Sequence, residues 1–187
     1  MQAQIAVLSQ QARENERLKT LLKFKKEIHS PVIACRVLSR EMTSWREWLA
    51  IDKGSDEGVV KNMAVVTPQG LVGRVLSSAI HSSRVMLITD SQSRVSVRIR
   101  ETRDAGIVEG NGSGMLTLRL VDLGVELKSG QTLETAGLGG IYPKGVTVGT
   151  VVTVWTENNG LYQAASIKPS ADFSKLEELA CLNSLEK

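Results

Sequence analysis

The sequence predicts a mainly β protein: an N-terminal α-helix, pairing as a coiled-coil dimer, followed by two small antiparallel β-barrels of the six-stranded kind. Three observations predict it. Residues 2–26 hold neither Gly nor Pro and are dominated by Ala, Leu, Glu, Gln, Lys and Arg, the strong helix formers. From Pro31 onward, short Val, Ile and Thr runs alternate with Gly, Asn, Asp and Pro, the pattern of an all-β barrel or sandwich. Two of these later stretches resemble each other, which points to a duplicated unit.

The helix comes first. Ile5, Leu8, Ala12, Leu18 and Leu22 recur at helical spacings, with Asn15 in the gap between Ala12 and Leu18. Leu8, Asn15 and Leu22 are seven apart and share one heptad position, with Leu18 at the other. A single Asn in such a seam fixes register and dimer state. We therefore read Ile5, Leu8, Ala12, Asn15, Leu18 and Leu22 as a self-association stripe, since a helix of about three heptads is marginal without a partner. Ser30-Pro31 ends it, because proline has no amide hydrogen to give.

Strands are expected over 32–38, 48–52, 63–67, 71–76, 85–89, 95–99, 105–109, 115–121, 132–135, 146–155 and 161–167. Pro68-Gln69-Gly70, Gly110 to Gly114 and Asn159-Gly160 have the composition of tight turns. No helix interrupts the strands, so the sheets should be antiparallel. The repeat aligns Val60–Thr67 with Leu127–Thr135, each followed by a Gly-initiated strand, Gly70–Val75 and Gly145–Val151. Gly73 and Gly149, inside those strands, mark bulges where a small barrel turns a corner. The expected division is a coiled-coil helix over 1–30, a first barrel over 31–110, a second over 111–174 and a C-terminal tail over 175–187, with strands free to cross between barrels.

The 187 residues are 42% hydrophobic but only 4% aromatic, so the core must be built from Val, Leu, Ile and Ala. The net charge of +3 lies wholly in residues 1–30, where Arg13, Arg17, Lys19, Lys23, Lys25 and Lys26 face Glu14, Glu16 and Glu27. Opposite charges three and four apart are the solvated outer face of a helix. The folded part has no basic patch with aromatics, which argues against a nucleic-acid partner. No run of eighteen apolar residues occurs and the start is no signal peptide. Cys35 and Cys181 are too few and too far apart in sequence for a disulfide framework or zinc site. Whether they are buried small hydrophobes or a pair formed in an oxidising compartment is left open.

Catalytic chemistry finds little support. Gly112-Ser113-Gly114 superficially resembles a nucleophile loop, but no flanking motif brings His81 and Asp90 or Asp104 to Ser113 as a protease triad requires. Asp52 to Gly58 lacks the acidic ladder of a calcium loop. No cofactor or metal motif is present, and no enzyme is expected. His29 and His81 read as solvent-facing caps or turns.

Several segments in order resemble the MreC family of rod shape-determining proteins. These are Glu14–Leu18 with Leu21-Leu22, Ile51–Ser55 with Gly58-Val59, Gly70–Val75, Leu87–Asp90, Gly106–Gly110, Gly137–Gly140 with Tyr142–Gly145, and Pro169–Phe173. The chain departs from the family's habit at Asn62, where glycine is usual, and at Thr135-Ala136-Gly137, where Thr-Ser-Gly is. The resemblance implies a transmembrane helix just before Met1 and a location outside the cytoplasmic membrane, facing the periplasm or extracellular side. It also implies a scaffolding role in lateral peptidoglycan synthesis, through self-association and contacts with penicillin-binding proteins, MreD and the MreB cytoskeleton. The competing readings are a periplasmic adaptor-type module, which would need two long antiparallel helices, and an inactive relative of chymotrypsin-like proteases.

Overall fold

The structure is a computed structural model that describes residues 14–16, 19, 31–43, 46–157 and 160–183. Its twelve strands are β1 (Val32–Met42), β2 (Glu47–Ile51), β3 (Ala64–Thr67), β4 (Gly70–Ser78), β5 (Ser83–Leu87), β6 (Arg94–Ile99), β7 (Ala105–Gly110), β8 (Leu116–Asp122), β9 (Thr132–Thr135), β10 (Thr147–Glu157), β11 (Tyr162–Pro169) and β12 (Glu178–Leu182). They form two closed antiparallel barrels of six strands, in the orders β1-β12-β3-β4-β5-β2 and β10-β11-β8-β7-β6-β9. Closure leaves neither sheet an unpaired edge.

The two rings have the same connectivity. Starting from β3 and from β9, the neighbours run β3-β4-β5-β2-β1-β12 and β9-β10-β11-β8-β7-β6. The second barrel is therefore one continuous segment, while the first is completed by the last strand, which fills the place β6 holds in the second. The expected boundaries are corrected accordingly. β6 and β7, assigned to a first barrel over 31–110, belong to the second, and part of the expected 175–187 tail is β12.

Both strand glycines sit beside register shifts. The β3–β4 ladder slips next to Gly73, and the β9–β10 ladder slips next to Gly149. A Cβ on Gly73 would lie 2.0 Å from the Met86 carbonyl oxygen, and one on Gly149 2.5 Å from that of Lys168, so only glycine fits these corners. Asn62 takes φ 71°. Asparagine tolerates that left-handed region better than other side chains, and its Oδ1 accepts a 2.8 Å bond from Arg74.

Two apolar cores follow from alternation. Cys35, Leu49, Ile51, Val65, Val75, Val85, Leu179 and Cys181 fill the first barrel. Val95, Val97, Ile99, Val108, Leu118, Leu133 and Ile167 fill the second, and that core continues onto Ala64, Val66, Ala180 and Leu182. Strands β3 and β12 thus bury both faces, one in their own barrel and one against the neighbour, and read as unbroken apolar runs.

On the second barrel, Arg98 on β6 pairs with Glu134 on β9 at 2.5 Å, and Arg100 reaches the other carboxylate oxygen at 3.2 Å. Desolvation works against the carboxylate, but the two guanidinium groups outweigh it and hold its pKa below the usual value. A depressed carboxylate pKa contributes stability above the unfolded value of about 4.3 that is lost as pH falls through the folded one. Glu134→Gln should cost about 3 kcal/mol at neutral pH, because it strands a largely buried Arg98. In urea unfolding the gap between the two proteins should narrow at about pH 3, and a gap independent of pH would refute the assignment.

Among the described residues, Glu14–Glu16 and Lys19 are α-helical, and further helical pieces are the short 3-10 turns Ser55–Glu57 and Phe173–Lys175. The expected coiled-coil helix over 1–30 otherwise lies outside the described residues.

Candidate functional site: the joint and outer faces of the barrels

Of the self-association stripe, Asn15 is described, and it is helical and exposed. Ile5, Leu8, Ala12, Leu18 and Leu22 lie outside the described residues. Next to Asn15, Glu14 pairs with Arg36 of β1 at 3.1 Å, which places this piece of helix beside the first barrel.

The residues of the catalytic and calcium readings are engaged in turns. Ser113 Oγ donates to Asn111 Oδ1 at 2.7 Å within its own hairpin. His81 Nδ1 lies 2.6 Å from Asp56 Oδ2 at an exposed site, and Asp90 is buried in the joint between barrels. In the acidic stretch, Glu57 accepts the Gly54 amide at 2.8 Å and pairs with Lys53, while Asp52 accepts the Arg36 amide at 2.7 Å. Among the described residues, no group of His, Cys, Asp and Glu could hold a metal ion. No described helix is long and apolar enough to cross a membrane.

What the fold builds is a fixed joint. The β5–β6 connector carries Thr89, Asp90 and Ser93, all buried. Asp90 accepts the amides of Glu47 and Gln92, each at 2.8 Å, and Thr89 Oγ1 donates to the buried Glu47 carboxylate. Gly112 N–H donates to the Thr89 carbonyl at 3.0 Å, tying the β7–β8 turn to the connector. Together with the shared core on β3 and β12, these bonds hold the barrels in one orientation.

Two outer faces remain open to solvent. On the first barrel, the Trp48 ring lies beneath the guanidinium groups of Arg46 and Arg84, 5.1 and 4.6 Å from its centroid. On the second, an ionic ladder runs over β6, β7 and β8 and reaches past β11 to β10: Arg94 with Glu109 at 2.7 Å, Glu109 with Arg119 at 3.3 Å, and Arg119 with Glu157 at 3.1 Å. Beside it stand the exposed apolar side chains of Leu120, Leu123, Trp155, Leu161 and Tyr162. Ala164, opposite Trp155 in the β10–β11 ladder, is small enough for long side chains to meet across β11. Period-two alternation alone could not single out these faces, because solvated and docking side chains occupy the same outward positions.

Comparison with known proteins gives these surfaces a family. The family model described as rod shape-determining protein MreC, barrel core, matches residues 37–183. The cell shape-determining protein MreC of Listeria monocytogenes is 39% identical over 177 residues, which cover 91% of this chain and 60% of that protein. That of Bacillus subtilis is 31% identical, with 95% of this chain and 66% of that protein covered. The chain thus spans less than two thirds of these relatives' length. A solved chain described as MreC superposes with a TM-score of 0.85 at 26% identity, covering 91% of this chain and 98% of that one. The Listeria monocytogenes MreC structure gives 0.78 at 33% identity, covering 97% and 91%. A solved chain described as the major periplasmic domain of the cell shape-determining filament MreC gives 0.72 at 26%, covering 82% and 96%. An MreC from Helicobacter pylori, solved in complex with penicillin-binding protein PBP2, shares the fold at 0.60 and 18% identity, covering 81% and 99%. The matched family and these relatives are described as shape-determining proteins, not as enzymes.

Proposed function

The chain belongs to the MreC family of rod shape-determining proteins, and from that premise we propose that it is a non-catalytic, membrane-anchored scaffold of the cell-elongation machinery. In this role it organises lateral peptidoglycan synthesis by self-association and by binding penicillin-binding proteins, in company with MreD and the MreB-linked membrane complex. The observation that carries the proposal is the family match across both barrels, residues 37–183. A rigid two-barrel body whose polar turn residues are engaged structurally suits presentation of surfaces better than turnover of a substrate.

The anchor in this reading is a single membrane helix outside these 187 residues, with the barrels on the periplasmic or extracellular side. Residues 1–30 would then run beside the membrane, where each basic side chain near anionic headgroups contributes about 1 kcal/mol. The stripe Ile5, Leu8, Ala12, Asn15, Leu18 and Leu22 pairs two copies there. Sedimentation should give a dimer for the chain, and a monomer for one lacking residues 1–30. Leu8→Asp with Leu22→Asp should weaken the dimer and leave the barrels' circular dichroism unchanged. If the barrels melt instead, the stripe packs on them and the pairing is wrong.

The central test is capture of envelope penicillin-binding proteins on the immobilised barrels, detected with fluorescent penicillin. A transpeptidase band retained above the bare matrix is expected. Its absence with membranes of a rod-shaped host that makes these enzymes would refute the scaffold role.

A further inference from the structure

The interior of the first barrel holds two thiols that the proposed role does not use. Cys35 lies on β1 and Cys181 on β12, 146 positions apart in sequence, and their Sγ atoms are 3.8 Å apart. In the β1–β12 ladder Cys35 stands opposite Leu179 and Cys181 opposite Ile33, so the sulfurs meet diagonally across the seam. Both side chains are buried in the first core, at 4% and 0% exposure. That seam closes the barrel with the strand that returns only after the whole second barrel has been made.

We infer that Cys35 and Cys181 are a disulfide-forming pair that fastens the last strand to the first when the first barrel closes. The inference rests on the extracytoplasmic placement proposed above, since disulfides persist in oxidising compartments. Two S–H bonds break and one S–S bond forms, while the S–S bond of a thiol–disulfide oxidant breaks; the two electrons and the two protons pass to that oxidant, which becomes a dithiol. The sulfurs must close from 3.8 Å to about 2.05 Å, by side-chain rotation and a small shift of β12 within its register. The step belongs to folding. In the finished barrel the thiols are out of an oxidant's reach, and the hydrogen bond to Cys181 together with burial pushes the Cys35 thiol well above its ordinary pKa, removing the thiolate that exchange requires. A bond spanning so long a loop also removes much of the unfolded chain's freedom.

The test refolds the reduced, unfolded chain in oxidised and reduced glutathione. It is then unfolded again, exposed to iodoacetamide, and weighed by mass spectrometry. Loss of both iodoacetamide adducts is expected, with a mass lower by two hydrogens. Cys181→Ala should keep a single modifiable thiol, and the native reduced chain in the same oxidant should keep both adducts. Two adducts on the refolded chain, or glutathione adducts alone, would overturn the inference and leave the cysteines as small core residues. In cells quenched with acid, then denatured in iodoacetamide at neutral pH, the chain should carry no adduct; two adducts there would overturn fastening in the envelope. Placement is read separately, by whether external protease reaches the barrels in intact protoplasts, so a misplaced chain and an unpaired one give different results.

Discussion

A chain ending at Glu177 is expected to lose the first barrel, although it lacks only ten residues. β12 is five residues long, but it pairs with β1 through Val32–Arg36 and with β3 through Ala64–Val66. Leu179 and Cys181 fill the first core, while Ala180 and Leu182 pack toward the second. Emptying one buried leucine site costs about 2–5 kcal/mol. Two such sites, with both ladders broken, are comparable to the whole stability of a domain, roughly 5–15 kcal/mol. Hydrogen exchange should show protection lost through β1–β5 and retained in part through β6–β11, whose six strands are continuous in sequence. Leu179→Asp should act in the same direction. A truncated chain that melts at the full-length midpoint would mean that β12 is dispensable.

Gly110→Ala should be the most damaging small substitution at the joint. A Cβ there would lie 2.2 Å from the Asp90 carbonyl oxygen and 2.4 Å from the carbonyl carbon and oxygen of Thr89. These are backbone atoms, held by Asp90's bonds to Glu47 and Gln92 and by the Gly112 bond to Thr89. They cannot swing aside as a side-chain tip would. Gly110 is not among the glycines of positive φ, so the penalty is steric. Overpacking costs about 1–3 kcal/mol where neighbours yield. The upper end is expected here, lowering the melting temperature by about 6–12 °C for a chain of this size. Gly124→Ala is the control, with nothing within 4 Å of its added carbon and no positive φ. Equal melting temperatures for the two variants would show that the joint yields. Because the connector also sets the angle between barrels, Gly110→Ala should reduce capture of penicillin-binding proteins more than its loss of folded protein explains.

Much of the architecture was legible because it is local. Eleven strands announced themselves through period-two apolar runs and turn chemistry, and the corner glycines Gly73 and Gly149 through their matching places in the repeat. β12 did not. Glu178–Leu182 is short, ends the described chain and shows no alternation, because both of its faces are buried. Its four-residue apolar run, Leu179 to Leu182, was the available signal, and it does not distinguish a strand from a greasy tail. The candidate surfaces were less legible still. Trp48 between two arginines and the Arg94–Glu109–Arg119–Glu157 ladder join residues from separate strands, and no spacing along the chain encodes them.

By itself, then, the sequence determined the mainly β class with two small barrels, the duplication, the antiparallel character and the family. All of these depend on alternation, turn residues and motif order within reach of a few neighbours. Only the tertiary structure decided which strands share a barrel, that the second barrel stands between β5 and β12, and that Cys35 and Cys181 meet. The physical reason is closure. A six-stranded ring needs a sixth strand to satisfy its edges, and any short apolar segment satisfies the backbone, so the choice falls to whichever segment also fills both cores. Leu179 and Cys181 on one side and Ala180 and Leu182 on the other do so, and that complementarity exists only once both barrels are in place.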